Sequence, residues 1–112
     1  MLNRSMLVVK AREPFLRWLK SLPDPVRDDL TLEEVNEDGT AFLLPEWEDD
    51  QERNRVLREC YRFIFEEQLS GWWTRESDWP KKRTFQVFQS WFDVEMHSVV
   101  EDLVDGPLFD DD

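Results

Sequence analysis

Apolar residues fall at helical spacing most clearly between Asp49 and Leu69. There Leu57, Cys60, Tyr61, Ile64, Phe65 and Leu69 recur at i, i+3, i+4 and i+7. The pattern predicts a long helix with one buried face, and Val56 and Phe63 widen the stripe enough to cover a sheet. Asp49, Asp50 and Glu52 place negative charge at the positive end of the helix dipole, and Asp49 with Glu52 suits a capping pair. Arg55 with Glu59 and Arg62 with Glu66 are i, i+4 pairs for the outer face. Gly71, just past the last periodic residue, is where a left-handed C-cap is expected.

The rest of the chain reads as shorter elements. Ser5 to Lys10 is apolar without alternation, as in a strand buried on both faces. Pro14 suits the first turn of a helix over 14–22, with Phe15, Trp18, Leu19 and Leu22 inward, and Pro23 and Pro25 end it. Residues 24–30 read as loop. Thr31 with Glu34 is a capping-box pattern for one helical turn reaching Val35. Asp38-Gly39 marks a turn before a second buried strand, Thr40 to Leu44, which Pro45 stops. Residues 70–83 show no periodicity and read as a loop ordered by its tryptophans. A short helix over 84–90 turns Phe85 and Phe88 inward.

The segment after it fits two templates. Phe92, Val94, Met96, Ser98 and Val100 alternate with Asp93, Glu95, His97, Val99 and Glu101, as in a strand. Phe88, Phe92, Met96, Val99, Val100 and Leu103 also make a helical stripe. A strand over 91–103 is preferred, because two strands alone make a poor sheet for three helices. The expected fold class is therefore α+β. It comprises a small mixed sheet of about three strands at 5–10, 40–44 and 91–103, packed by helices at 14–22, 49–69 and 84–90. One domain spans 1–104, and an acidic tail spans 105–112.

Composition narrows the function. At 112 residues the chain suffices for one core, and 40% hydrophobic residues, including six Trp and eight Phe, are a folding composition despite 36% charged residues. A net charge of −12 argues against nucleic acid as a ligand and against docking on an anionic membrane. It leaves a cationic protein partner, a metal ion or plain solubility. The lone Cys60 lies on the apolar stripe and reads as a small buried hydrophobe. The only N-terminal apolar run, Met6 to Val9, is too short for a signal core or membrane span, so the expected location is cytoplasmic.

Two clusters are candidates for function. Trp72, Trp73 and Trp79, close to Lys81, Lys82 and Arg83, suit an aromatic protein-binding surface with a cationic rim. The plain alternative is that these rings plug one end of the core. Asp93, Glu95 and His97 share one face of a strand, roughly 7 Å apart per step, and are a carboxylate–imidazole set for a divalent metal. A solvated acidic face is the preferred explanation, since such a short alternation arises easily by chance, and no second His completes a common two-histidine site. Gly39, Gly71 and Gly106 stand singly, so no phosphate-cradling loop exists, and no nucleophile elbow surrounds any serine. The preferred reading is a non-enzymatic module that binds a protein partner of basic character, without cofactor. Metal binding or metal-dependent catalysis at Asp93, Glu95 and His97 is the first alternative. An acidic mimic of nucleic acid is the second.

The run Asn3-Arg4-Ser5-Met6-Leu7-Val8-Val9-Lys10, with Pro14-Phe15, Trp18-Leu19 and Ser21-Leu22-Pro23-Asp24, resembles a group of small acidic bacterial proteins. Gly71-Trp72-Trp73-Thr74, Trp79-Pro80, Arg83-Thr84-Phe85 and Trp91-Phe92-Asp93-Val94 are similar in kind. The resemblance implies a bacterial cytoplasmic origin and a single compact domain. It carries no activity, ligand or residue role.

Overall fold

The computed structural model describes residues 3–24 and 27–104. Its elements in chain order are β1 (Ser5–Ala11), α1 (Glu13–Lys20), α2 (Leu32–Val35), β2 (Thr40–Leu44), α3 (Asp50–Trp72), α4 (Phe85–Trp91) and β3 (Phe92–His97), with a single 3-10 turn at Glu76–Asp78. The fold is α+β. Its three strands lie in the order β2-β1-β3, and both pairings are antiparallel, where a mixed sheet was expected. β2 and β3, each antiparallel to β1, run parallel to one another and are joined across β1 by α3 and α4.

One face of the sheet meets the helices. Leu7, Val9 and Ala11 of β1 are buried there with Leu44 of β2 and Phe92 of β3, against Phe15, Leu19, Ile64, Phe65, Leu69 and Phe88. The other face is open, which corrects the expectation of a strand covered on both sides. Met6 and Val8 are only half-buried on it, and their neighbours Ala41, Leu43, Glu95 and His97 are exposed. β2 is likewise no buried strand: it lies at a sheet edge, and Leu43 is 51% exposed. An apolar run with no polar residue looks the same whether its second face is covered by helices or by nothing. Pairing at the end of β1 is completed by a side chain. The Asn36 amide donates to Ala11 O at 3.0 Å and accepts from Ala11 N at 2.8 Å, which docks α2 beside the sheet.

Aromatic rings fill the core. Phe65 lies 5.3 Å from Phe92, 5.6 Å from Trp91 and 6.0 Å from Phe88, while Phe15 lies 5.3 Å from Phe92 and 5.4 Å from Trp18. Full burial of such a ring stabilises by roughly 1.5–3 kcal/mol, with about 0.5–1.5 kcal/mol more for a well-placed pair. Cys60 is half-buried beside this cluster, and burial, helped by the negative charge of Glu59, pushes its thiol pKa up. The thiol is thereby kept protonated, unlike an activated nucleophile.

α3 departs from its expected form in three places. Asp49 caps it, with Oδ1 accepting from Glu52 N at 2.8 Å, but the helix runs on through Gly71 to Trp72. Trp73 closes it in an extended conformation, its N–H still reaching Leu69 O at 2.9 Å. Gly71 is thus an interior residue, not a left-handed cap. Phe63 is 62% exposed instead of buried; it lies edge-on to Phe42 at 6.5 Å beside the sheet edge. Arg55 pairs backward with Glu52 at 3.8 Å, whereas Arg62 pairs with Glu66 at 3.7 Å as expected. β3 is a strand but ends at His97, short of residue 103. His97 pairs with Met6, and β1 extends only one residue further, to Ser5, so the later residues have no strand to pair with. Among the described residues no helix is long and apolar enough to cross a membrane.

A β-carbon at Gly71 would meet nothing within 4 Å, so the helix carries the entropic cost of glycine there with no steric return. Gly71→Ala is expected to raise stability by about 0.5–1 kcal/mol in urea unfolding. A loss of stability would show that the helix does not persist through this residue.

Candidate functional site

The tryptophan segment that begins at the end of α3 splits into two parts. In the first, three indole N–H groups are all satisfied around Asp78. Trp73 Nε1 donates to Asp78 Oδ2 at 2.9 Å, Trp18 Nε1 to Asp78 O at 3.0 Å, and Trp79 Nε1 to Trp73 O at 2.8 Å. Arg75 stands 5.8 Å from the Trp73 ring and 3.6 Å from Asp78, and Arg83 stands 5.8 Å from the Trp79 ring. Arg83 also donates to Pro80 O at 2.7 Å and lies 3.5 Å from Glu66 of α3. Trp73 and Trp79 are half-buried against the core. This part is a clasp holding the loop to α1 and α3, and its polar atoms are largely spent on that task. Lys81 and Lys82 remain exposed beyond it.

Trp72 belongs to the second part. It is 40% exposed and does not stack on the clasp; it lines a cavity of about 280 Å³. Val9 and Ala11 of β1 also line this cavity, with Thr40 at the start of β2 and Asn36 from the end of α2. Glu34, Asp38 and Glu67 supply its charge. Glu34 is already engaged: it forms the capping box with Thr31 and an ion pair with Arg27. The Arg27 hydrogen bond, followed by the backbone N–H of Thr31, holds the Glu34 carboxyl below the usual carboxylate range, so it remains charged as pH falls. Asp38 and Glu67 form no ion pair among the described residues. An aromatic wall with two uncommitted carboxylates suits a cation, which gains both the ring quadrupole and charge-assisted hydrogen bonds.

Asp93, Glu95 and His97 do alternate on one exposed strand face, but they do not converge. His97 Nε2 lies 3.4 Å from Glu95 Oε2, while Asp93 is drawn 4.0 Å from Arg12 at the other end of the strand. Among the described residues no group of three or more His, Cys, Asp or Glu is placed to hold a metal ion. In the structure Asp93, Glu95 and His97 are exposed side chains on this strand face.

Comparison with known protein families, with curated proteins and with solved structures finds no match. The functional argument therefore rests on the geometry of the site. Sequence reasoning singled out Trp72 but missed Glu34, Asp38 and Glu67 as its neighbours, because the stretch 34–40 and the end of α3 are brought together only by the fold. The clasp itself is testable. Asp78→Ala removes both the acceptor for Trp73 and the partner of Arg75, and is expected to cost about 1–3 kcal/mol in urea unfolding. Asp78→Asn keeps an acceptor oxygen and is expected to lose under about 1 kcal/mol. Equal losses would mean the indole hydrogen bond contributes little.

Proposed function

We propose that this chain is a non-enzymatic, bacterial cytoplasmic module that binds a protein partner. It holds a Lys- or Arg-bearing segment of that partner against Trp72 and the acidic cavity. The observation that carries the reading is Trp72 itself. This large ring is 40% exposed at the end of α3, over a cavity where Asp38 and Glu67 form no ion pair among the described residues. Tryptophan at the edge of a desolvated pocket is a residue type that dominates interface energetics. The net charge of −12 favours encounter with a basic partner and raises its association rate at low salt. In this reading Trp73, Trp79 and Arg83 hold the frame, and Trp72 is the anchor. Lys81 and Lys82 flank the frame and discourage partners that are basic throughout.

The test is capture from an extract of the source cells with wild-type protein, Trp72→Ala and Glu67→Gln as baits, at low and moderate salt. A partner that survives moderate salt on the wild type, and weakens at least tenfold on both variants in calorimetry, is the expected result. Equal retention by all three baits contradicts the reading. A DNA-binding partner held independently of Trp72 and released by salt would instead support mimicry of nucleic acid.

A further inference from the structure

A second cavity, of about 370 Å³, sits at the opposite outer strand, and its chemistry is reversed. α3 contributes Arg53, Asn54, Leu57 and Arg58, two i, i+4 pairs one residue apart along the helix. α4 contributes Phe85 and Gln89, and β3 contributes Val94 and Met96 from the half-buried core side of the strand. None of these residues lines the cavity beside Trp72.

Arg53 and Arg58 share with Arg4 and Arg17 the lack of an ion pair among the described residues, but they line a cavity. Arg12, Arg27, Arg55, Arg62, Arg75 and Arg83 each lie within 4.0 Å of a carboxylate. Arg53 and Arg58 form no ion pair among the described residues, in a protein with 26 acidic side chains. Arg58 lies over the Phe85 ring at 4.5 Å, which fixes its head at the cavity rim. Arg53 reaches only Asn54 Oδ1, at a long 3.4 Å, and its Nε is buried with no acceptor. The other such nitrogen, Arg83 Nε, lies 3.5 Å from Glu66 and has its charge answered. Arg53 has no such counter-charge among the described residues, so its outer guanidinium nitrogens can meet an anion in the cavity.

We infer that the cavity between α3, α4 and β3 binds a small organic carboxylate: the carboxylate lies on Arg53 and Arg58, and its apolar body rests on Leu57, Val94 and Met96. The planar fork of arginine matches a carboxylate in two-point contact, which a lysine would not. The half-buried apolar floor distinguishes an organic acid from a bare inorganic anion, and the volume lies within the range of small-molecule sites. The acidic surface as a whole repels an anion. At physiological ionic strength, however, that repulsion is screened beyond about 8 Å, whereas the two guanidinium groups act at contact.

Octanoate is a suitable probe, titrated into the full chain at 0.15 M salt and followed by NMR of the Leu57, Val94 and Met96 methyl groups. Octanol and inorganic phosphate serve as the neutral and the bare-anion counterparts. Saturable shifts with octanoate are expected to centre on these methyls, and to need at least tenfold more ligand in Arg53→Gln and in Arg58→Gln. Octanol is expected to bind at least tenfold more weakly, and phosphate not to saturate. The inference is overturned if both variants bind octanoate like the wild type, if octanol matches octanoate, if phosphate competes equally, or if the shifts lie elsewhere. Arg58 is exposed, so Arg58→Gln keeps the test valid should Arg53→Gln fail to fold.

Discussion

The structure depends on the meeting of Phe65 with Phe92. Phe65 is fully buried at the centre of α3, and Phe92 is the first residue of β3, directly after α4. Their contact at 5.3 Å joins the long helix to the outer strand, and Phe15 and Phe88 close around Phe92 from α1 and α4 at 5.3 and 5.4 Å. Four elements are thereby fixed by one aromatic cluster, in a chain too short for a second core. Because this cluster lies on one side of a three-stranded sheet, the other side is left open and both outer strands keep a free edge.

That one-sided arrangement creates both cavities. α3 lines one cavity near each of its ends. At its C-terminal end, Glu67 and Trp72 overhang β2 and the α2 turn, giving an acidic aromatic cavity. Towards its N-terminal end, Arg53 and Arg58 overhang β3, giving a basic one with an apolar floor. A single helix therefore carries opposite charge preferences at its two ends, and only the acidic one follows the charge of the whole chain.

How much of this was legible in the sequence depends on whether a residue's role is local. The 3.6-residue period of Leu57, Ile64, Phe65 and Leu69 showed the long helix and its buried face, and Thr31 with Glu34 showed the capping box. The strand alternation from Phe92 to His97 was readable, but its end was not, since the end is set by where β1 begins. Phe63 was assigned inward because periodicity records only the direction of a side chain; what stands opposite it here is a sheet edge. Gly71 followed the usual capping rule but lies inside the helix, because Trp73 and Asp78 anchor the chain further on. The carboxylates around Trp72 and the unpaired state of Arg53 arise from tertiary placement, and no spacing along the chain records them.

The most direct test of the account is to watch the indole N–H signals by NMR while an arginine-containing peptide is added at 0.15 M salt, with its citrulline counterpart as control. The Trp72 indole and the amides of Gly39, Thr40 and Gly71 are predicted to shift saturably with the arginine peptide alone, while the indoles of Trp73 and Trp79, held by Asp78 and Trp73, stay in place. Equal response to both peptides, or movement of the Trp73 and Trp79 signals with Trp72 unchanged, would contradict it.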